Sequence, residues 1–242
     1  MVKSVHLWYQ IFMQSLSIED LMTQEQGLKE HIRAVLAGRT RRIIPKENLR
    51  ESAVLIPICF SRSGPGIVVT ERSMNVEHHK GEISFPGGRS EPEDDGLVYT
   101  ALREAYEEIG LMPDDVDVLG LLDDHISIMG FHITPVVGTI PFPYNLKINA
   151  ESKTLLHVPL KHALKDTVWM AEKTTFMGRD INIYFLEIDG GVVWGATARM
   201  LKHFIDLVAG RTVAFTKVSA HVRSWVEEVV SKQATYQVNN IE

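Results

Sequence analysis

GEISFPGGRSEPEDDGLVYTALREAYEEIGL, Gly81 to Leu111, decides how the rest of the chain is read. A strand-like piece (Glu82–Phe85) meets a Pro-Gly-Gly stop, then an acidic loop, then a helix over about Leu97–Gly110. Glu104, Glu107 and Glu108 are spaced i, i+3, i+4 and share one face of that helix. Val98, Ala101, Leu102, Ala105 and Ile109 take another face, the one expected to be buried. Like charges at i, i+4 destabilise a helix by a few tenths of a kcal/mol, and acids near its C-terminus oppose the macrodipole. Two readings follow: a solvated acidic face, or oxygen ligands for a hard divalent cation with room left for water and a phosphate. Arg103 lies one turn from Glu107 and can pair with it.

The stretch resembles the Nudix box of the Nudix hydrolases. The second half matches from Arg103 to Leu111: Arg-Glu-apolar-x-Glu-Glu-x-Gly-apolar. The first half departs. Counted from Gly88 the acidic position falls on Asp94, counted back from Arg103 it falls on Asp95, and the loop is one residue longer than the general pattern. A long Asp-rich loop is also found in the coenzyme A diphosphatase branch. That branch carries a second signature upstream, which Val68-Val69-Thr70-Glu71-Arg72-Ser73 and Gly81-Glu82-Ile83-Ser84-Phe85-Pro86-Gly87-Gly88 resemble. Glu77 stands about where many members have a basic residue. Thr134–Gly138 and Trp194–Ala198 also resemble the branch, so the likeness covers about Ser52–Val208.

The resemblance implies an α+β chain with a Nudix fold, a mixed sheet between helices. It implies Glu104, Glu107 and Glu108 as ligands of Mg²⁺ or Mn²⁺, with Arg103 beside them. The reaction implied is cleavage of the coenzyme A diphosphate to 3'-phospho-AMP and 4'-phosphopantetheine. The alternatives are another nucleoside diphosphate derivative (ADP-ribose, a dinucleotide, a damaged nucleotide) and a non-catalytic Nudix-fold binding protein. The last predicts an eroded glutamate cluster, whereas all three glutamates are present.

Gly87 and Gly88 allow a phosphate to approach the backbone closely. Arg72 could touch phosphate or pair with a nearby carboxylate. The general base is a box glutamate or one from a later loop, with Glu151 a candidate. Asp94, Asp95 and Glu91 contribute to metal or to loop structure, and structure is the favoured role of Asp95. His78-His79 lack partners for a zinc site, while His125 and His132 fit satisfied core positions. Trp194 is expected in the core at a helix start. No Gly-x-Ser-x-Gly elbow and no Walker A loop appear.

Composition bounds the rest. The 242 residues are 45% hydrophobic, enough for a sizeable core, and the net charge is −6. An acidic chain without a basic stripe argues against nucleic acid as a partner. A small nucleotide-type molecule is expected instead, and a homodimer is left open. Cys59 is the one cysteine, so no internal disulfide forms; in an apolar strand it reads as a buried inert thiol. No apolar run reaches the roughly 18 residues of a membrane span. Val5–Leu16 lacks a basic start and a cleavage site, and translation could begin at Met13 or Met22. The cytoplasm is therefore expected.

In chain order, Ser17–Gly38 reads as one helix with a Ser17/Asp20 capping-box variant and a stripe of Leu21, Leu28, Ile32 and Leu36. Arg39-Arg41-Arg42 reads as a solvated linker or a phosphate or partner contact. Strands follow at Ser52–Phe60 and Pro65–Arg72, then Val116–Leu122, Ile126–Ile128 and His132–Ile140. Pro135 suggests a sheet edge or bulge. Glu151–Val158 precedes a short helix at Leu160–Lys165. Val168–Phe176 with Asn182–Ile188 reads as a hairpin, and a helix from Trp194 to about Val208 follows. The expected division is an N-terminal helical extension (1–45), a catalytic domain (46–210) and a helical tail (211–242).

Overall fold

An apolar run without alternation, such as 52–60, must be covered on both faces. In the computed structural model, which describes residues 17–45, 49–74, 80–127, 129–176 and 178–238, that run lies at the centre of a sheet. Glu77, His78 and His79 and the Val5–Leu16 segment lie outside the described residues. The elements in order are α1 (Ile18–Leu21), α2 (Glu25–Ala37), β1 (Arg50–Ser61), β2 (Gly64–Arg72), β3 (Ile83–Ser84), β4 (Gly87–Arg89) and α3 (Gly96–Ile109). After a 3₁₀ turn (Pro113–Asp115) come β5 (Asp117–Leu121), β6 (His125–Ile126), β7 (Phe131–Thr139), β8 (Ser152–Pro159), α4 (Leu160–Ala163) and β9 (Trp169–Phe176). The chain continues with β10 (Arg179–Ile188), β11 (Gly191–Trp194), α5 (Gly195–Ala209), β12 (Thr216–Lys217) and α6 (Ala220–Val238).

β1 pairs antiparallel with β2 and β4 and parallel with β7, giving a mixed sheet ordered β3-β2-β1-β7-β5 with β8 on β2. A second sheet runs β11-β10-β9-β12. The period-2 alternation of β1 divides the core. Ala53, Leu55 and Cys59 meet Ala101, Ala105 and Ile109 of α3. Ile56 and Ile58 face the other way, into the cluster that holds Leu28 and Ile32 of α2, Leu201 and Phe204 of α5, and Trp169 and Leu186 of the second sheet. Ile109 and Leu111 are fully buried, each worth roughly 1.5–3 kcal/mol. Cys59 is buried, and burial raises its thiol pKa, consistent with an inert thiol.

Three expectations need correction. The 17–38 helix is two pieces: Ser17 and Asp20 form a full capping box on α1, but Thr23 and Gln24 interrupt before α2. Pro135 is not at an edge, since β7 lies between β1 and β5. It stands opposite Val54 and offers only its carbonyl, to the Leu122 N–H at 3.0 Å. The β5 ladder stops at the next pair, Leu121–Val136, after a register shift between Val118 and Gly120, so the missing proline N–H leaves little unpaired. Arg39 and Arg41 are no solvated linker, while Arg42 is exposed. Arg39 pairs with Asp123, and Arg41 with Asp124. Asp124, buried, also meets the His132 ring nitrogen Nε2 at 2.9 Å and accepts from the Thr134 hydroxyl at 3.0 Å. Among the described residues no helix is long and apolar enough to cross a membrane.

Candidate active site

Gly110 stops α3 in the left-handed region at φ 67°, where a glycine carries no Cβ penalty. Its N–H bonds the Tyr106 carbonyl at 2.9 Å. With the apolar stripe of α3 fixed on β1, Glu104, Glu107 and Glu108 are turned toward the β3–β4 connection and the 149–151 loop. β3 pairs with β2 through Thr70–Ser84 and Glu71–Ile83, which sets Arg72 beside the glycines. A Cβ on Gly88 would fall 2.4 Å from the Glu104 carboxyl, and one on Gly87 2.4 Å from the Ala53 carbonyl oxygen. Gly87 therefore needs the bare backbone, whereas a Cβ at Gly88 would displace the Glu104 carboxyl from its place.

The contacts form one connected set. The Gly87 N–H donates to Glu108 Oε2 at 3.3 Å. The Arg72 guanidinium reaches Glu108 Oε1 at 3.6 Å and Glu151 Oε2 at 3.5 Å, and its buried Nε has no partner among the described residues. Arg103 donates to Asp94 through Nε at 2.8 Å and Nη2 at 3.1 Å, to Glu104 at 3.0 Å, to Glu107 at 3.3 Å and to the Arg89 carbonyl at 2.9 Å. Asn149 ties the loop to the helix end. Its backbone N–H donates to the Glu108 carbonyl at 3.0 Å, its side chain donates to the Glu107 carbonyl at 3.1 Å, and its Oδ1 accepts the Glu151 N–H at 2.9 Å.

Arg72, Gly87, Gly88, Arg103, Glu104, Glu107 and Glu108 thus lie together, with Glu151 across from Arg72. In the acidic loop it is Asp94 that does the structural work, and Asp95 is exposed at the helix start with no side-chain cap. Asp94 accepts from Thr100, the Glu91 N–H and Arg103. The Arg103 hydrogen bonds hold its carboxyl far below the ordinary range. The loop-structure role left open for Asp94 is the one it takes, in place of the favoured Asp95, and Asn149 escaped the sequence reading. An Asx turn, with Asn two residues before the acid it serves, was the available signal for Asn149. His125 and His132 lie away from this set: His132 is buried on Asp124, and His125 sits in β6. Trp194 ends β11, packed with a small cluster of Phe185, Val192 and Val222.

The electrostatics of the set are unfavourable as they stand. Burial raises the Glu108 pKa to about 7; Arg72 and the Gly87 N–H oppose this, while Glu104 and Glu151 add to it. Burial also raises Glu104, with Arg103 opposing and the charges of Glu107 and Glu151 adding. Carboxylates that repel one another in a low-dielectric setting are what a divalent cation relieves. The donor chemistry fits a hard cation. Among the described residues, however, no three such side chains are gathered at ligand spacing, because Glu104 and Glu107 lean on Arg103. They would have to turn from it to share an ion.

Two glycines at close quarters with a helix, its desolvated carboxylates and two arginines are thus gathered in one place. A NUDIX domain model matches residues 49–173. The chain is 34% identical over 191 residues to the uncharacterized Nudix hydrolase NudL of Citrobacter koseri, covering 78% of this chain and 93% of that protein. It is 35% identical over 161 residues to the NudL of Yersinia pestis (strain Pestoides F), covering 66% and 80%. Among solved structures, a C. elegans Ap4A hydrolase complex aligns with a TM-score of 0.41 and 14% identity, over 47% of this chain and 83% of that one. RenU, a Nudix hydrolase from M. Smegmatis, aligns at 0.40 and 20%, over 47% and 72%. The chain belongs to the Nudix family, hydrolases of nucleoside diphosphate derivatives that generally work with divalent metal ions.

Proposed function

We propose that this protein hydrolyses the diphosphate bond of coenzyme A or its derivatives, releasing 3'-phospho-AMP and 4'-phosphopantetheine. The observation that carries the reading is the meeting of two signatures. The β2–β3 pairing brings Arg72, from the Val68–Ser73 stretch, within 3.6 Å of Glu108 in the box helix. Sequence segments that resemble the coenzyme A branch thus border one cleft.

Glu104, Glu107 and Glu108 would hold Mg²⁺ or Mn²⁺, which when bound neutralises phosphate charge and lowers the pKa of a ligated water. The chain's own groups supply position. Arg103, clamped by Asp94, sets the reach of Glu104 and Glu107. Gly87 and Gly88 let the diphosphate approach the backbone. Arg72, placed between Glu108 and Glu151, meets the phosphate oxygens. The water oxygen bonds to phosphorus, the anhydride P–O bond breaks, and a carboxylate takes the water proton. Glu151, whose carboxylate is more than half exposed and faces Arg72 at the rim, is our candidate for that base beside the box glutamates. The same proposal takes residues 46–210 as the catalytic unit between an N-terminal extension and a C-terminal tail, with a cytoplasmic location and a homodimer compatible with it.

The test is a product analysis. Purified protein with Mg²⁺ or Mn²⁺ is offered coenzyme A, ADP-ribose, NADH and a dinucleoside polyphosphate. Highest kcat/KM on coenzyme A, with the two named products, is the expected result. Cleavage of another diphosphate with coenzyme A untouched overturns the substrate and leaves the chemistry. No cleavage with either metal moves the binding-protein alternative to the front.

A further inference from the structure

A cavity of about 280 Å³ opens on the face of the sheet away from α3, beside β6 and α5. His125, in its wall, is paired with Ile133, which packs into the cluster holding α5, whereas Ala101, Ala105 and Ile109 of α3 belong to the opposite cluster. The cavity is therefore separated from the carboxylate cleft by the sheet itself.

Its charges do not cancel. Three carboxylates border it, and each is already matched: Asp123 by Arg39, Asp124 by Arg41, and Asp206 by Lys202 at 2.6 Å. The buried Lys202 ammonium is further occupied, lying over the Trp169 and Tyr184 rings. Arg42 and Arg199 also line the cavity, and among the described residues neither is paired with a carboxylate. Two arginines thus line a concave space without a carboxylate partner. Two histidines stand with them. Burial and the Arg199 charge lower the His125 pKa to about 4, and burial likewise lowers His203 although Asp123 opposes it. Near neutral pH both rings are uncharged, each with one N–H to donate. Tyr184 adds an aromatic wall.

We propose that this cavity is a second ligand site that takes a small organic phosphate monoester, held by Arg42 and Arg199 with His125 and His203 as neutral donors. Two guanidinium forks suit a dianion with three equivalent oxygens; a carboxylate would saturate one of them. The volume is near the lower end of small-molecule pockets, about 300 Å³, and leaves space for an organic part beyond the phosphate. Such a monoester could come from a remote phosphate of a substrate molecule or from a separate phosphorylated effector.

The test uses the full chain without metal, with ribose 5-phosphate and inorganic phosphate as probes and calorimetric titration as the readout. Saturable binding of ribose 5-phosphate, weakened at least tenfold in an Arg42→Gln/Arg199→Gln double variant and unchanged in Arg72→Gln, is expected. Both arginines are exposed, so the double variant should fold, and its melting temperature in the absence of probe checks this. Affinity that follows Arg72 instead, or heat reproduced by chloride at equal ionic strength, overturns the site. Absence of binding by both probes overturns it as well. Once binding is seen, hydrolysis at saturating ribose 5-phosphate separates the sources. A rise in KM alone assigns the site to the substrate's own phosphate, and an unchanged KM assigns it to a separate ligand.

Discussion

Charged side chains gather at two places in this molecule, and the two are built on opposite terms. At the end of β5, Asp123 and Asp124 face Arg39, Arg41, His132 and Thr134. Burial works against both carboxylates, yet hydrogen bonds and the neighbouring cations keep their pKa values below ordinary. At the end of α3, Glu104, Glu107, Glu108 and Glu151 share Arg72 and Arg103, and the buried members are pushed upward. The first arrangement matches each carboxylate within the chain, although Arg39 Nε and His132 Nδ1 have no partner among the described residues, and it pins the segment after α2 to the sheet. The second has surplus negative charge, and only something from outside can balance it. Buried charge that is matched points to structure, and buried charge that is unmatched points to chemistry.

That contrast can be broken at either end. Asp124→Ala leaves Arg41 and the buried His132 without their acid, and should cost about 3–5 kcal/mol. In a chain of this size that lowers the melting temperature by roughly 10 °C, read by calorimetry, with kcat/KM per folded molecule retained. A small shift would place the Asp123–Asp124 network among ordinary surface pairs. Glu107→Gln should do the reverse. Hydrolysis falls by about 10²–10³-fold, with the melting temperature within a degree or two of the parent. Full activity in that variant removes Glu107 from the site.

The pH dependence of metal-free protein probes the unmatched cluster directly. Glu108 rises from an ordinary 4.5 to about 7 on folding, so the folded chain holds the proton more tightly. Its contribution is present below pH 4.5 and is lost as pH climbs through 7, on the order of 3 kcal/mol. Melting of Glu108→Gln against the parent should therefore converge at low pH and favour the variant above pH 7. Parallel curves would show that Glu108 is not held in a destabilised charged state. Asn149→Ala is the mildest change. Losing the side-chain bonds to the Glu107 carbonyl and the Glu151 N–H should cost about 1 kcal/mol in urea unfolding. A change above 3 kcal/mol would mean that this loop does more than join helix to sheet.

What could be read before folding was local. The face shared by Glu104, Glu107 and Glu108, the stop at Gly110, the Ser17–Asp20 box and the β9–β10 hairpin all depend on residues within a few positions of each other. The partners of Arg39 and Arg41 are some eighty positions away, and no periodicity reports them. The interior placement of Pro135 was hidden in the same way, whereas a carboxylate partner for Arg72 was foreseen and only its identity as Glu108 needed the fold. Choosing Asp94 over Asp95 needed the loop path, because adjacent acids differ only in the direction they point. The carboxylate cluster was legible because its pattern violates helix preferences and resembles the Nudix box, and the arginine–aspartate network was hidden because each of its residues looked ordinary alone.

The parallel pairing of β1 with β7 joins residues about eighty positions apart, and everything from β2 through α3 lies inside the loop it closes. Closing such a loop costs chain entropy before any contact repays it, so this pairing belongs to the slow part of folding. The cleft cannot be assembled from the box segment in isolation, because α3 rests on β1 and the glycines are aligned by β1 as well. The helix that carries the glutamates and the strands that align the glycines all come from residues 50–109, so the β1–β7 pairing closes the sheet around this unit and does not itself bring its parts together.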